Sequence, residues 1–301
     1  MTGTSTTAQA RPGIVRTWML AARPPTLTAA AVPVLVGTAA AIRVGDFSLG
    51  VFAAALAAAL LIQVGTNFAN DVFDFERGTD TDERLGPPRV TQTGLLKPRD
   101  VRFGMVVAFG GAALLGLYLA YVGGWPIIAV GLASIVAGVA YTGGPWPFGY
   151  HGLGDLFVFC FFGLVAVCGT YYLHTGDVSG LSIAAGCAVG CPVTAVLIVN
   201  NLRDRATDGR TGKRTLAVRL GDRVTRWQFA ATIAAAYVLS LAMAVITSPW
   251  LLLPLLSLPL AARLVSPVLG GTEGRALNIT LKATAQFTLV FGVLLAVGFL
   301  L

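Results

Sequence analysis

Charge is scarce in this 301-residue chain: 12% of its residues are Asp, Glu, Lys or Arg, against 55% hydrophobic. Its mean hydropathy is +0.76. That shortage argues against a soluble globule, because typical soluble domains are about 25% charged. Histidine is nearly missing, with His151 and His174 alone, so no imidazole cluster is available for a zinc-type centre. Cys160, Cys168, Cys187 and Cys191 form no CxxC pair and fall inside apolar runs. A disulfide or thiolate-metal framework is therefore poorly supported, and a packing role is expected. The apolar runs are rich in Ala, Leu and Gly and lack the alternation of a membrane barrel wall. The first dozen residues lack the compact apolar core of a cleavable signal and are expected to form a polar, disordered tail.

What is present is length of apolar run. Nine stretches of about 18–24 residues recur, at roughly 25–42, 49–70, 103–122, 125–142, 153–173, 181–201, 228–246, 249–266 and 278–300. Each is long enough to cross the hydrocarbon layer as a helix. The expectation is an all-α integral membrane protein: nine transmembrane helices in one bundle around a central cavity. Residues 1–22 are expected as a cytoplasmic N-terminal tail and 23–301 as a single membrane domain.

The basic residues are distributed unevenly. Of 21 Lys and Arg, only Arg43 falls in a connection on one face; the others crowd the tail and the loops of the opposite face. The positive-inside rule makes the crowded side cytoplasmic and predicts an inside N-terminus with an outside C-terminus. The formal charge of +7 then reflects orientation and contact with anionic lipid heads. No nucleic-acid recognition module is present, so nucleic acid is not an expected partner.

The acidic residues are not scattered. Asn70-Asp71-Val72-Phe73-Asp74 and Asn200-Asn201-Leu202-Arg203-Asp204, followed by Asp208, each stand where an apolar run meets a charged loop. The two share an Asn-x-x-x-Asp spacing at an offset of 130 residues, on helices four spans apart. Two pseudo-repeated four-helix halves plus a ninth helix are expected. Carboxylates near lipid cost about 2.5–3.5 kcal/mol each at a helix centre, so a specific ligand is the natural explanation. At a spacing of four, Asn70 and Asp74 share a helix face, as do Asp204 and Asp208. Such oxygen donors suit a hard cation like Mg²⁺, which takes one or two carboxylates together with substrate phosphate.

The same loops carry Arg84, Arg89, Arg203, Lys213 and Arg214. Carboxylates alone could serve an ion-coupled transporter, but the basic half fits a polyanion bridged by metal. A carboxylate and a phosphate oxygen about 4 Å apart repel by about 4 kcal/mol at an effective dielectric of about 20. Divalent cations reverse that sign, and diphosphate is the simplest ligand for both halves. Helix capping and loop charge are the plainer explanation for any single residue, less so for two matched clusters.

With these motifs in view, the chain resembles the UbiA superfamily of membrane prenyltransferases. Asn70–Asp74 looks like its first aspartate motif and Asn201–Asp208 like its second. The resemblance runs from Arg23-Pro24-Pro25-Thr26 to the ninth helix. Asp74-Phe75-Glu76-Arg77-Gly78-Thr79-Asp80, Arg84-Leu85-Gly86-Pro87-Pro88-Arg89 and Tyr141-Thr142-Gly143-Gly144 look like the 1,4-dihydroxy-2-naphthoate polyprenyltransferase branch of menaquinone biosynthesis. Gly152-Leu153-Gly154-Asp155 and Gly212–Gly221 point the same way. Two positions depart from the pattern. Gly78 stands where the superfamily often has Asp, leaving Asp80 to substitute, and Asp155 stands where the branch commonly has Glu.

The resemblance implies Mg²⁺-dependent transfer of a polyprenyl chain from polyprenyl diphosphate to 1,4-dihydroxy-2-naphthoate, with loss of CO₂. Another aromatic acceptor is the alternative within the family. It implies metal ligands among Asn70, Asp71, Asp74, Asp80, Asp204 and Asp208, and diphosphate contacts from Arg84, Arg89, Arg203 and Lys213. Catalytic or acceptor-binding roles are expected for Asn67, Tyr141, Asp155, Tyr171, Asn200 and Asn201.

Overall fold

A computed structural model of the chain describes residues 12–80 and 84–301. Nearly all of the expected disordered tail lies outside the described residues. Among those residues every regular element is helical, with no strand. Eight helical segments are long and apolar enough to cross a membrane, and the helix Trp125–Ala140 is a ninth, shorter apolar one. The nine-span bundle expected from hydropathy is thus the architecture found.

The chain opens with an amphipathic helix α1 (Ile14–Ala22), inside the stretch assigned to the tail. It stops at Arg23, whose φ of 52° breaks the helix before Pro24 and Pro25. Then follow α2 (Leu27–Arg43), α3 (Leu49–Glu76), α4 (Pro98–Gly123) and α5 (Trp125–Ala140). The fifth span is composite: α6 (Gly154–Val158), a π-helical stretch (Phe159–Val165) and α7 (Ala166–Thr175). The wide turn sits where Gly163 presses on α8 (Gly180–Arg210). A Cβ on Gly163 would come within 2.7 Å of the Gly186 carbonyl oxygen and the Gly190 Cα. Small residues that let backbones touch are how helices associate in lipid, where no hydrophobic drive separates helix from solvent. The chain ends with α9 (Leu216–Ile246), a 3₁₀ stretch (Pro249–Ser257) leading into α10 (Leu258–Leu269), and α11 (Leu277–Leu300).

The two halves repeat one another in their packing. α3 packs most extensively on α4, and α8 on α9. Both α3 and α8 start from a serine cap on the face opposite the acidic clusters: Ser48 Oγ accepts from Val51 N, and Ser179 Oγ from Ser182 N. Such a cap satisfies one of the amide groups that a helix start leaves open. α11 closes the bundle against α2 and α8. The main core runs through α2, α7, α8, α9 and α11, with Phe229, Phe287, Phe291 and Phe299 fully enclosed. α8 is the most deeply enclosed of the eight long spans, so the second cluster is held at the end of the central helix.

Candidate active site: a cleft between two helix ends

α3 ends where its sequence demands a turn. Gly78 adopts φ 69°, a conformation that costs little without a Cβ. Its N–H bonds to the Phe75 carbonyl at 3.0 Å, while the Thr79 N–H bonds to the Asp74 carbonyl at 3.0 Å. This paired closure is a Schellman motif. It reverses the chain directly after the helix and brings Asp80 back toward Asp74. The left-handed glycine therefore stands at the place of the missing Asp, and the carboxylate arrives two residues later.

Asp74 is the centre of this side. Its Oδ1 accepts from the Tyr150 hydroxyl at 2.7 Å, and its Oδ2 from Arg89 Nη2 at 2.9 Å, with Lys213 Nζ 4.0 Å away. Thr79 Oγ1 lies 2.8 Å from the same Tyr150 hydroxyl. The Tyr150 ring also faces Lys213 at 5.2 Å and Arg77 at 5.6 Å, both within range for an attractive cation–π contact. Asp80 pairs with Arg84, and its Oδ2 lies 3.2 Å from Arg89 Nε.

Asp71, by contrast, faces away from this group. It is 1% exposed, and its carboxylate accepts from Val90 N at 3.2 Å, Thr91 N at 3.1 Å and the Thr91 hydroxyl. Arg23 Nη2 approaches it at 3.9 Å. Its bonding capacity is spent on pinning the 89–91 loop, which carries Arg89 into the cleft.

α8 supplies the opposing wall. Arg203 Nε donates to Asp204 Oδ1 at 2.8 Å, and Nη2 donates to Asp204 Oδ2 at 2.5 Å and Asn200 Oδ1 at 2.9 Å. Its Nη1 donates to Asn278 Oδ1 at 2.8 Å, and Asn278 in turn donates to the Leu85 carbonyl at 2.9 Å. The backbone at Gly86 lies so close that a Cβ there would meet Arg203 Nη2 at 2.7 Å. Arg203 is 3% exposed. It acts as a buried brace that fixes Asp204, Asn200 and the 85–86 backbone.

Between the walls lies a narrow polar cleft of about 40 Å³. Asp74, Asp80, Asp204 and Asp208 line it with Asn200, and so do Arg84, Arg89 and Lys213. Burial pushes the Asp80 carboxyl up to about 6, against the downward pull of Arg84. Burial pulls the Lys213 ammonium down, but Asp74, Asp208 and Asp80 together outweigh it and hold it above its usual range. Burial, then the charge of Asp74, raises the Tyr150 phenol, so it remains a proton donor to that carboxylate.

Among the described residues no three Asp, Glu, His or Cys side chains gather as a ready-made metal centre. The donor set nevertheless fits a hard divalent cation. The cleft has carboxylate oxygens on both walls and the Asn200 amide on one, and buried Asp80 Oδ2, 3.2 Å from Arg89 Nε, accepts no hydrogen bond. Arg89 Nε and Nη1 are likewise buried without one. The cleft thus sets carboxylates and cations side by side, with Arg89 Nη1 buried and without a partner, an arrangement that suits a cation and an anion bound together.

Of the remaining sequence-predicted residues, the structure brings some close and not others. Asn70 stands beside the cleft, its Oδ1 accepting from the Thr142 hydroxyl at 2.9 Å. Asn67 donates to the Ala22 carbonyl at 2.8 Å and Thr26 Oγ1 at 2.9 Å, fastening the α1–α2 break to α3. Tyr141 packs edge-on against Phe148 at 5.4 Å, within electrostatic reach of Asp155, Asp74 and Asp208. Asn201, next to cleft-lining Asn200, points its amide at Asp155 Oδ1 at 3.5 Å. Tyr171 is buried in the main core. It lies one turn from His174, which bonds to Ser48 N at the far face, so it is not brought to the cleft.

Sequence reasoning passed over Tyr150, Thr79, Thr207, Asn278 and Gln228. Tyr150 stands six residues beyond the Tyr141-Thr142-Gly143-Gly144 motif. Gln228 had a readable signal, being an amide within an apolar span, where polar groups are costly and usually functional.

With this geometry, similarity to known proteins can be placed. The profile of the UbiA prenyltransferase family matches residues 30–270. The chain is 42% identical to the 1,4-dihydroxy-2-naphthoate octaprenyltransferase of Mycobacterium tuberculosis, over 93% of this chain and 95% of that protein. It is 34% identical to the Bacillus subtilis protein of the same name, over 94% and 92%. The fold is similar to that of a solved UbiA homolog from Archaeoglobus fulgidus bound to GPP and Mg²⁺. The TM-score is 0.66 at 13% identity, covering 93% of this chain and 99% of that one.

Proposed function

The chain belongs to the UbiA prenyltransferase family, and on that premise we propose the reaction it performs and the residues that perform it. It transfers a polyprenyl chain from polyprenyl diphosphate to 1,4-dihydroxy-2-naphthoate with loss of CO₂, giving demethylmenaquinol. The observation that carries this reading is the cleft itself: four carboxylates and three cations facing one polar space at the ends of two equivalent helices. A transporter pathway would not need Arg84, Arg89 and Lys213 there, whereas a diphosphate does.

The protein uses a divalent cation, and we assign Mg²⁺ to Asp74 and Asp80 on one wall and Asp204, Asp208 and Asn200 on the other. Bound there, the metal would supply the positive charge that reconciles carboxylates with diphosphate and eases departure of the leaving group. Arg84, Arg89 and Lys213, now paired with Asp80 and Asp74, would exchange those carboxylates for phosphate oxygens. Their charge then opposes the negative charge that grows as the allylic C–O bond breaks, which is catalysis aimed at the transition state. Tyr150 and Arg203 hold Asp74 and Asp204 in place, and Asp71 holds the loop that delivers Arg89. Asn70 supports the α3 wall through Thr142.

The electron pair of the broken bond leaves with diphosphate, and the electron-rich ring carbon attacks the allylic cation. The carboxylate on that carbon departs as CO₂, returning its electron pair to the ring. Asp155, Asn201 and Tyr141, adjoining the cleft through Asn200, form the acceptor end. The protein is integral to the cell membrane. We place the N-terminus and the cleft on the cytoplasmic face and the C-terminus opposite, on the strength of the basic-residue asymmetry.

The test uses purified protein with Mg²⁺, a polyprenyl diphosphate and dihydroxynaphthoate, following demethylmenaquinol and CO₂. Equimolar formation of both is expected. Gradient-driven uptake by vesicles without prenylated product would instead establish a transporter.

A further inference from the structure

One buried polar group is not accounted for by diphosphate chemistry. Gln228, on α9, donates from Nε2 to Asp155 Oδ2 at 2.7 Å. Its other amide atom, Oε1, is buried and has no hydrogen-bond partner. Asp155 is 7% exposed, and no Lys, Arg or His pairs with it among the described residues. Its only other contact is the long 3.5 Å approach of Asn201 Nδ2. An ionised carboxylate has about four acceptor positions and no donor. The Asp155–Gln228 pair therefore carries a surplus of acceptors: the open lone pairs of Asp155 and the free Oε1 beside them.

That surplus selects its ligand by sign. A carboxylate or phosphate brought here would face the Asp155 carboxylate and the open Gln228 oxygen with no cation to offset them. A hydroxyl brings the missing proton. We propose that Gln228 and Asp155 form the subsite that binds a ring hydroxyl of the aromatic acceptor, Gln228 Oε1 and Asp155 sharing the O–H as acceptors. This rests on the prenyl-transfer reading above and specifies how its acceptor is held. The ring carboxylate must then point away from Asp155, toward the side of Asn200, where the cations of the cleft lie.

The arrangement also explains why three separate elements converge on one carboxylate. α6 carries Asp155, α8 carries Asn201, and α9 carries Gln228. A simple interhelical clamp would satisfy both ends of the amide; here one end is left open although buried, which is costly without a ligand. A hydroxyl held by a carboxylate also makes its ring richer in electrons, as alkylation requires.

The experiment is a cycle between one residue and one substrate group. Wild type, Gln228→Met and Gln228→Leu are assayed with 1,4-dihydroxy-2-naphthoate and with its 1-hydroxy and 4-hydroxy analogues, recording KM and kcat for acceptor and donor separately. Comparing variants on each substrate cancels the intrinsic reactivity of the rings. Both variants are expected to raise the KM for the dihydroxy acceptor by roughly 10–100-fold, since a site built to bond a hydroxyl penalises its loss steeply. The donor KM should stay within about twofold, because neither Gln228 nor its partner Asp155 lines the diphosphate cleft. One monohydroxy analogue, the one lacking the bound hydroxyl, should lose its handicap against the diol in both variants. An unchanged acceptor KM overturns the proposal, as does an equal rise for all three acceptors, which marks a structural clamp. If wild type fails to prenylate the naphthoate at all, the prenyl-transfer reading itself falls, an outcome distinct from active wild type with indifferent variants.

Discussion

α3 and α8 carry the same Asn-x-x-x-Asp spacing, start from a serine cap and end at the same cleft, yet they deliver their carboxylates by different means. α8 continues as a helix through Arg210, so Asp204 and Asp208 both ride on one rigid face. α3 stops at Glu76, and its second cleft carboxylate, Asp80, comes from the loop after a left-handed Gly78. With the offset of 130 residues, Gly78 is the counterpart of Asp208. The supports differ as well. Asp204 is braced by its own neighbour Arg203, whereas Asp74 is held by Tyr150, Arg89 and Lys213 from three other segments. One wall is thus prefabricated on a helix, and the other is assembled by tertiary structure. The second positions of the two clusters diverge too: Asp71 anchors a loop, while Asn201 reaches toward Asp155.

The comparison can be broken most forcefully at the shared position. Asp74→Asn and Asp204→Asn should each reduce turnover of the folded protein by at least about 10²-fold, the scale for removing one electrostatic element of a site. Each should also lower the melting temperature, because it leaves a buried arginine without its charged partner. A large loss in one and not the other would end the symmetry. Asp71→Ala separates anchoring from chemistry. It should cost about 3–5 kcal/mol of stability, because buried amides and Arg23 lose a charged partner. Thermal denaturation should show that drop while the remaining folded protein stays more active than Asp74→Asn.

Gly78→Ala addresses the assembled wall. A Cβ in the left-handed region costs about 1–2 kcal/mol. The variant should raise the Mg²⁺ concentration needed for half-maximal activity several-fold, while Gly78→Asn, which tolerates that conformation, should not.

The smallest effect expected is in pH dependence. The folded metal-free protein holds the Asp80 carboxyl up at about 6, above its ordinary value of 3.8. A raised carboxyl favours the fold while protonated, so that contribution is lost as pH rises from about 4 through about 6. Asp80→Asn should therefore gain stability relative to wild type across that window in the presence of chelator. Metal affinity should move the other way in wild type, weakening as pH falls through about 6.

Sequence made the nine spans legible, because a long apolar run has few alternatives in a chain with so little charge. It also singled out Asp74, Asp80, Asp204, Asp208, Arg84, Arg89 and Lys213, which the fold brings to one cleft, since each stands in a charged loop or helix end. It could not separate Asp71 and Arg203 from these. Both look like ligands until their partners, Thr91 and Asn278, are seen beside them. Tyr150 and Gln228 escaped for a related reason: their partners Asp74 and Asp155 lie 76 and 73 residues away. The π-helical stretch was hidden too, because it depends on Gly163 meeting α8 and not on its own apolar pattern.

The most direct measurement of the central claim, that both helix ends form one metal-dependent diphosphate site, is prenyl transfer by purified protein with carboxyl-labelled dihydroxynaphthoate. The account predicts labelled CO₂ matched to demethylmenaquinol, abolished by chelation and restored by Mg²⁺, and lost in both Asp74→Asn and Asp204→Asn. Turnover that persists without divalent metal, or full activity in either variant, would contradict it.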